Sequence, residues 1–202
     1  EFPKTKSLLV IDSSSDLFSR EIDTKNIGLF YGGIQKNGGP AGVTLVVIRK
    51  DLANRVASNV PNILRYKTQI DANSMSNTPN TFGIYMLNLM LEKLIKEGGL
   101  KAVNEKNEKK AALLYSAIDE MSDFYKGHAK KDSRSLMNVS FNITKGEEFE
   151  KKFVCEALEN NMMGLKGHRH LGGIRASIYN AITYENVETL VGFMKDFAKK
   201  NG

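Results

Sequence analysis

The chain has 202 residues, 41% hydrophobic and 26% charged, a balance that fits a globular chain of one or two domains with a real core. Its single cysteine, Cys155, excludes an internal disulfide, and no apolar run approaches the ~20 residues of a membrane-spanning helix. The net charge of +6 is spread along the sequence with acids interleaved, as at Glu105, Lys106, Glu108, Lys109 and Lys110, and this describes solvated faces rather than a nucleic-acid surface.

In chain order, Leu8-Leu9-Val10-Ile11 is the first run of the kind buried in a sheet, and Asp12 follows it at the carboxyl end, where open α/β sheets bind ligands. Phe30-Tyr31-Gly32-Gly33-Ile34-Gln35-Lys36-Asn37-Gly38-Gly39-Pro40-Ala41-Gly42 reads as a glycine-rich turn leading into a second strand at residues 43–48. Lys36 is therefore expected at a strand-to-strand corner, with glycines clearing the backbone for a ligand and Pro40 stiffening the exit. A short helix at residues 50–54 precedes a loop-rich stretch to about residue 80. Thr78-Pro79 is expected to open a helix, the threonine as cap and the proline in the first turn.

Over residues 81–97, Phe82, Tyr85, Met86, Leu89, Met90, Leu94 and Ile95 recur at helical spacing and read as core, until Gly98-Gly99 stops the helix. Residues 100–123 form a second amphipathic pattern with Leu100, Val103, Ala111, Leu114, Ile118 and Met121 on one face. Then come a strand at 136–143, a helix at 147–160 carrying Cys155 as a buried or half-buried thiol, and a strand at 174–179. A closing helix at 186–200 has Val187, Leu190, Val191, Met194 and Phe197 on one stripe. This alternation predicts a two-layer α/β domain beginning at the Gly98-Gly99 break.

Taken singly, Lys36 is a turn lysine projecting into water and Asp12 is an Asx-turn or helix cap. Together they suggest more. A lysine in such a turn can form a Schiff base with a carbonyl cofactor. A strand-end carboxylate a couple of dozen residues earlier can keep a pyridine nitrogen protonated, which pyridoxal phosphate chemistry requires.

Four stretches carry a family resemblance: Asp12-Ser13-Ser14-Ser15-Asp16-Leu17-Phe18-Ser19-Arg20, the Gln35-Lys36 turn, Ser76-Asn77-Thr78-Pro79, and residues 165–181 with Lys166-Gly167-His168-Arg169-His170-Leu171-Gly172-Gly173-Ile174-Arg175 at their centre. In this order and spacing they resemble the phosphoserine aminotransferases, class-V members of the fold-type I pyridoxal phosphate enzymes. The resemblance runs the whole length of this chain but matches only the second part of the family's. It implies the C-terminal part of a fold-type I α/β transferase. Residues 1–98 would finish the large mixed-sheet cofactor domain, and residues 99–202 would form the small C-terminal α/β domain. An upstream part of the same protein is implied as well, needed for activity and supplying the ring that stacks on the cofactor.

The roles implied by the resemblance are specific. Lys36 holds pyridoxal 5'-phosphate and shuttles the substrate α-proton, Asp12 pairs with the ring nitrogen, and Gln35 donates to the cofactor phosphate. Asn77 and Thr78 resemble a pair lent to the cofactor phosphate of a partner subunit, so a homodimer with shared active sites follows. Arg175 takes the substrate α-carboxylate, while His168 and Arg169 take the far anionic end, a phosphate in phosphoserine and a carboxylate in glutamate. His170 carries less of the motif, and His128 reads as an exposed loop residue. The implied reaction is transamination between phosphohydroxypyruvate with glutamate and phosphoserine with 2-oxoglutarate, a step of L-serine biosynthesis in the cytoplasm, with no metal, nucleic acid or membrane involved. Two alternatives stay open: another fold-type I aminotransferase or desulfurase with a different anionic substrate, and a non-catalytic fragment that binds a partner.

Overall fold

In the computed structural model, which describes residues 2–202, the chain separates into two units, one ending at Glu97 and the other spanning Gly98–Gly202. The first is built on β1 (Leu9–Asp12), β2 (Ile27–Gly33) and β3 (Thr44–Ile48), in the order β1-β2-β3, with β1 parallel and β3 antiparallel to the central strand. The strand that delivers Lys36 to its turn is thus β2, and the Leu8-to-Ile11 run is β2's neighbour rather than its predecessor at the corner. β2 was hidden by its glycines, which here serve close packing. A Cβ on Gly28 would meet Leu52 Cδ1 at 2.8 Å and Leu8 Cβ at 3.0 Å, so glycine here leaves room for those two side chains.

The stretch expected to be loop holds 3-10 turns at Lys50–Leu52 and Asn62–Leu64 and a short helix, α1 (Tyr66–Asp71). α1 buries no residue, so no apolar stripe announces it. The next helix, α2 (Thr81–Lys96), is capped by Asn80 and not by Thr78, since the Asn80 side chain accepts from the Gly83 N–H at 3.0 Å. The predicted core stripe of α2 is not covered: among its residues only Gly83 and Leu94 are buried, while Phe82 is 66% and Ile95 71% exposed.

The second unit runs α3 (Gly99–Glu120), β4 (Tyr125–Gly127), β5 (Asn138–Ile143), α4 (Glu147–Glu159), β6 (Lys166–His168), β7 (Gly172–Ser177) and α5 (Tyr184–Asn201). Its antiparallel sheet has the order β4-β5-β7-β6. β5 alternates strictly, with Val139, Phe141 and Ile143 buried and Asn138, Ser140 and Asn142 only partly so. The buried side of this sheet meets Leu114 and Ile118 of α3, Phe153 of α4, and the α5 stripe of Val187, Leu190, Val191, Met194 and Phe197, all buried as the periodicity predicts. Tyr125, Phe141, Phe153 and Phe197 meet edge to face, and the Tyr125 hydroxyl donates to the Met194 carbonyl at 2.8 Å. Thr183 and Asn186 close a capping box at the start of α5. Cys155 lies off the Phe153–Ala157 stripe and is exposed, contrary to the buried or half-buried thiol expected.

Candidate functional site

Asp12 ends β1 directly opposite Tyr31 of β2, a register that brings carboxyl and phenol together. The chain then turns sharply: Ser14 donates to Asp12 Oδ1 twice, from its hydroxyl at 2.6 Å and from its backbone N–H at 3.0 Å. These two bonds, helped by the Tyr31 phenol and the positive charge of Lys36, hold the Asp12 carboxyl below the usual carboxylate range. Asp12 in turn pushes the Tyr31 phenol up. Ser14 Oγ also accepts from the Gly33 N–H at 3.3 Å, which ties the serine turn to the end of β2. A Cβ on Gly32 would stand 3.2 Å from the Ser13 carbonyl carbon and the Ser14 nitrogen, so the two turns can close on each other only over glycine.

Lys36 lies in that second turn, half-buried, and its Nζ donates to Ser15 Oγ at 2.7 Å. Asp12 and Lys36, 24 positions apart in the sequence, are therefore brought to one place by two serines. Around them, Asp16 receives Ser19 Oγ and pairs with Arg20 at 3.0 Å, which fixes the serine turn from behind. Gln35 is exposed beside Lys36. Asn77 and Thr78 lie in the exposed loop before α2, where Asn77 Nδ2 donates to the Thr78 carbonyl at 3.0 Å. Ser14, Ser15 and Tyr31 are the contributors that sequence reading left without a role. The serines were visible in the motif; Tyr31 needed the strand register.

In the second unit, Arg175 sits on β7 opposite Ser140 of β5, on the side of the sheet away from the core. Its Nε is buried and has no hydrogen-bond partner among the described residues, a donor directed at nothing the chain itself provides. His168, Arg169 and His170 occupy the exposed tip between β6 and β7. There Arg169 Nε donates to His170 Nε2 at 3.0 Å, and the His170 N–H donates to His168 Nδ1 at 3.3 Å. Behind the tip, Lys151, Cys155 and Lys166 line a cleft of about 430 Å³ together with His168 and Arg169. His128, exposed as expected, shares a small recess with His168, Ser140 and Asn142.

The described residues fit pyridoxal phosphate. They offer a carboxylate kept ionised at a strand's carboxyl end, a lysine amine beside it, and a backbone with no side chain at Gly32. No helix among the described residues is long and apolar enough to cross a membrane.

The first unit thus holds a strand-end carboxylate beside a turn lysine, and the second an arginine whose buried Nε has no partner among the described residues. A family model described as aminotransferase class-V matches residues 1–190, and the chain belongs to that family. It is 54% identical over 201 residues to the phosphoserine aminotransferase of Campylobacter lari, covering 99% of this chain and 56% of that one. Among solved structures it is similar to the phosphoserine aminotransferase of Bacillus circulans subsp. alkalophilus, at 47% identity and a TM-score of 0.95, covering 100% of this chain and 56% of that one. The PLP-bound phosphoserine aminotransferase of Trichomonas vaginalis follows at 38% identity and a TM-score of 0.91, covering 96% of this chain and 55% of that one. The α/β fold expected from the sequence, the C-terminal part of a fold-type I transferase, is borne out by these structures. The chain spans about half the length of the curated relatives it matches.

Proposed function

We propose that this chain is the catalytic-lysine-bearing part of a phosphoserine aminotransferase, an enzyme that moves an amino group between glutamate and phosphohydroxypyruvate in L-serine biosynthesis. The observation that carries this reading is the Lys36 amine on Ser15 Oγ beside a carboxylate held ionised by Ser14, in a chain 54% identical to one such enzyme. Pyridoxal phosphate, when bound, supplies an electron sink that stabilises charge left on the substrate α-carbon. Asp12 would keep the ring nitrogen protonated, Gln35 would donate to the cofactor phosphate, and Asn77 and Thr78 would serve the phosphate of a second subunit. Lys36 Nζ would hold the cofactor and carry the proton to and from the substrate α-carbon. Arg175, with its unpaired Nε, would take the α-carboxylate through a planar fork, and His168 with Arg169 the distal anion. Residues up to about 98 then belong to the large cofactor domain and the rest to the small one, in a cytoplasmic homodimer.

The same reading has an upstream part of the protein cover the exposed α2 stripe and the outer edges of β1 and β3, which pair with no other strand among the described residues, and complete the active site. Hydride reduction of the active enzyme is the test. It should fix a pyridoxyl mass on the peptide containing Lys36; a label on any other lysine would overturn the assignment. Residues 1–202 alone should not catalyse transamination until the upstream part is added back, and full activity without it would refute the need for that part.

A further inference from the structure

Sequence reading gave His170 no role in the tip of the β6–β7 hairpin, yet the hydrogen bonds there pass through it. The tip is tight. Leu171 N–H donates to the His168 carbonyl at 3.0 Å, and Gly172 and Gly173 adopt φ of +66° and +69°. A Cβ on Gly167 would overlap the Gly172 carbonyl oxygen, so the two paired strands leave no room for a side chain at that position. The result sets three side chains next to one another, with the His168 and His170 rings 5.4 Å apart.

We propose that His170 is a positioning residue for the distal-anion site, setting the tautomer of His168 and the orientation of Arg169; the proposal rests on the reading of those two residues given above. His168 Nδ1 accepts the His170 backbone N–H, so it carries no proton. A neutral imidazole has one N–H, and the His168 proton therefore sits on Nε2, as a donor available to an anion. Arg169 gives its Nε–H to His170 Nε2, which holds the guanidinium by its inner nitrogen and leaves the two terminal nitrogens as donors. The ring of His170 must then be neutral with its own proton on Nδ1, because a protonated ring could not accept and would repel Arg169. The tip thus offers one neutral and one charged donor group to an anion bearing two or more acceptor oxygens, as phosphate and carboxylate both do.

The test uses the active holoenzyme. Loss of one exposed positioning contact should raise KM for phosphoserine in His170→Ala by about threefold or more, with kcat nearly unchanged. His170→Gln, whose amide oxygen can accept from Arg169 Nε, should restore KM. Alanine as amino donor has no distal anion, so its turnover should be the same in all three enzymes. The nitrogen-15 spectrum of the wild-type enzyme should show His168 as the Nε2–H tautomer, a readout independent of activity. An unchanged KM in His170→Ala alongside a raised KM in Arg169→Ala would overturn the proposal, as would an Nδ1–H His168 or an equal loss with alanine. Should neither Arg169→Ala nor His168→Ala raise KM for phosphoserine, the distal-anion reading itself fails, and the proposal with it.

Discussion

Phe153 and Phe82 each belong to the apolar stripe of an amphipathic helix, yet Phe153 is fully buried in the second unit while Phe82 is 66% exposed in the first. The two helices have nearly equal amphipathicity, but their surroundings differ. α4 packs on the four-stranded sheet and meets α5 of its own unit through Phe153, and the contiguous aromatic and aliphatic core lies wholly within residues 98–202. α2 belongs to a unit whose described sheet has only three strands. Helical periodicity therefore states which face requires a partner. It does not state whether the same stretch of chain supplies one.

The units also divide the proposed chemistry, the first holding the covalent and proton-transfer residue and the second the charge recognition. The largest expected effect is accordingly at Lys36. Lys36→Ala removes both the attachment point and the proton carrier, so transamination should vanish from single-turnover measurements of either half-reaction while the fold, read by circular dichroism, persists. Appreciable turnover in that variant would return the lysine to an ordinary turn residue.

Next in size is the contrast between the two phenylalanines. Phe153→Ala leaves a cavity among Tyr125, Phe141 and Phe197, and a buried Phe-to-Ala change costs ~3–5 kcal/mol. Phe82→Ala deletes a side chain that is largely exposed, and should change the unfolding free energy of residues 1–202, read by denaturant titration, by no more than ~0.5 kcal/mol. In the complete enzyme, where the upstream part should cover α2, Phe82→Ala should become costly too. Equal small effects in both settings would mean that the α2 stripe stays in water.

Arg175→Ala should follow. A charge-assisted contact is worth roughly 1.5–3 kcal/mol, so kcat/KM should fall at least about tenfold for glutamate and for phosphoserine alike, because both present an α-carboxylate. Loss confined to phosphoserine would exchange the roles of Arg175 and the His168–Arg169 pair.

Much of this was legible in the sequence because it depends on local spacing. The α5 stripe, the β5 alternation, the break at Gly98 and the Asp12-to-Lys36 order all survive as positions in the structure. What escaped depends on partners far along the chain. The end of β2 looked like a turn because Gly32 is set by its approach to the Ser13-Ser14 backbone, far back along the chain. Asn80 displaced Thr78 as the cap because Pro79 already stands outside the helix, a choice of two residues that capping preference alone does not resolve. Cys155 followed the helix correctly and its burial wrongly, since one step around a helix separates a core position from an exposed one. His170 had no partner a sequence could name, and the same is true of Lys110.

Lys110 gives the smallest and sharpest comparison, because it is a charged residue inside the better-packed unit. It sits on α3, 3% exposed, and its Nζ donates to the carbonyls of Ile178, Tyr179 and Ile182 at 3.1, 2.9 and 2.8 Å, where the chain leaves β7 for α5. Burial pushes its pKa down from 10.5 to about 8, while the three carbonyls favour the ammonium. If burial prevails, the unfolded chain binds a proton between about pH 8 and 10.5 that the native state has released, so this group's contribution to stability rises with pH across that window and is constant below it. Lys110→Met, similar in length and unable to titrate, should lack that rise. The measurement is the difference in unfolding free energy between wild type and Lys110→Met at several pH values, which cancels the alkaline behaviour of every other group. The difference should move in favour of the wild type from pH 8 upward, by at most ~3 kcal/mol from the size of the shift. A difference that moved toward the variant would mean that the three carbonyls outweigh burial, with Lys110 anchoring the β7–α5 connection as a cation throughout.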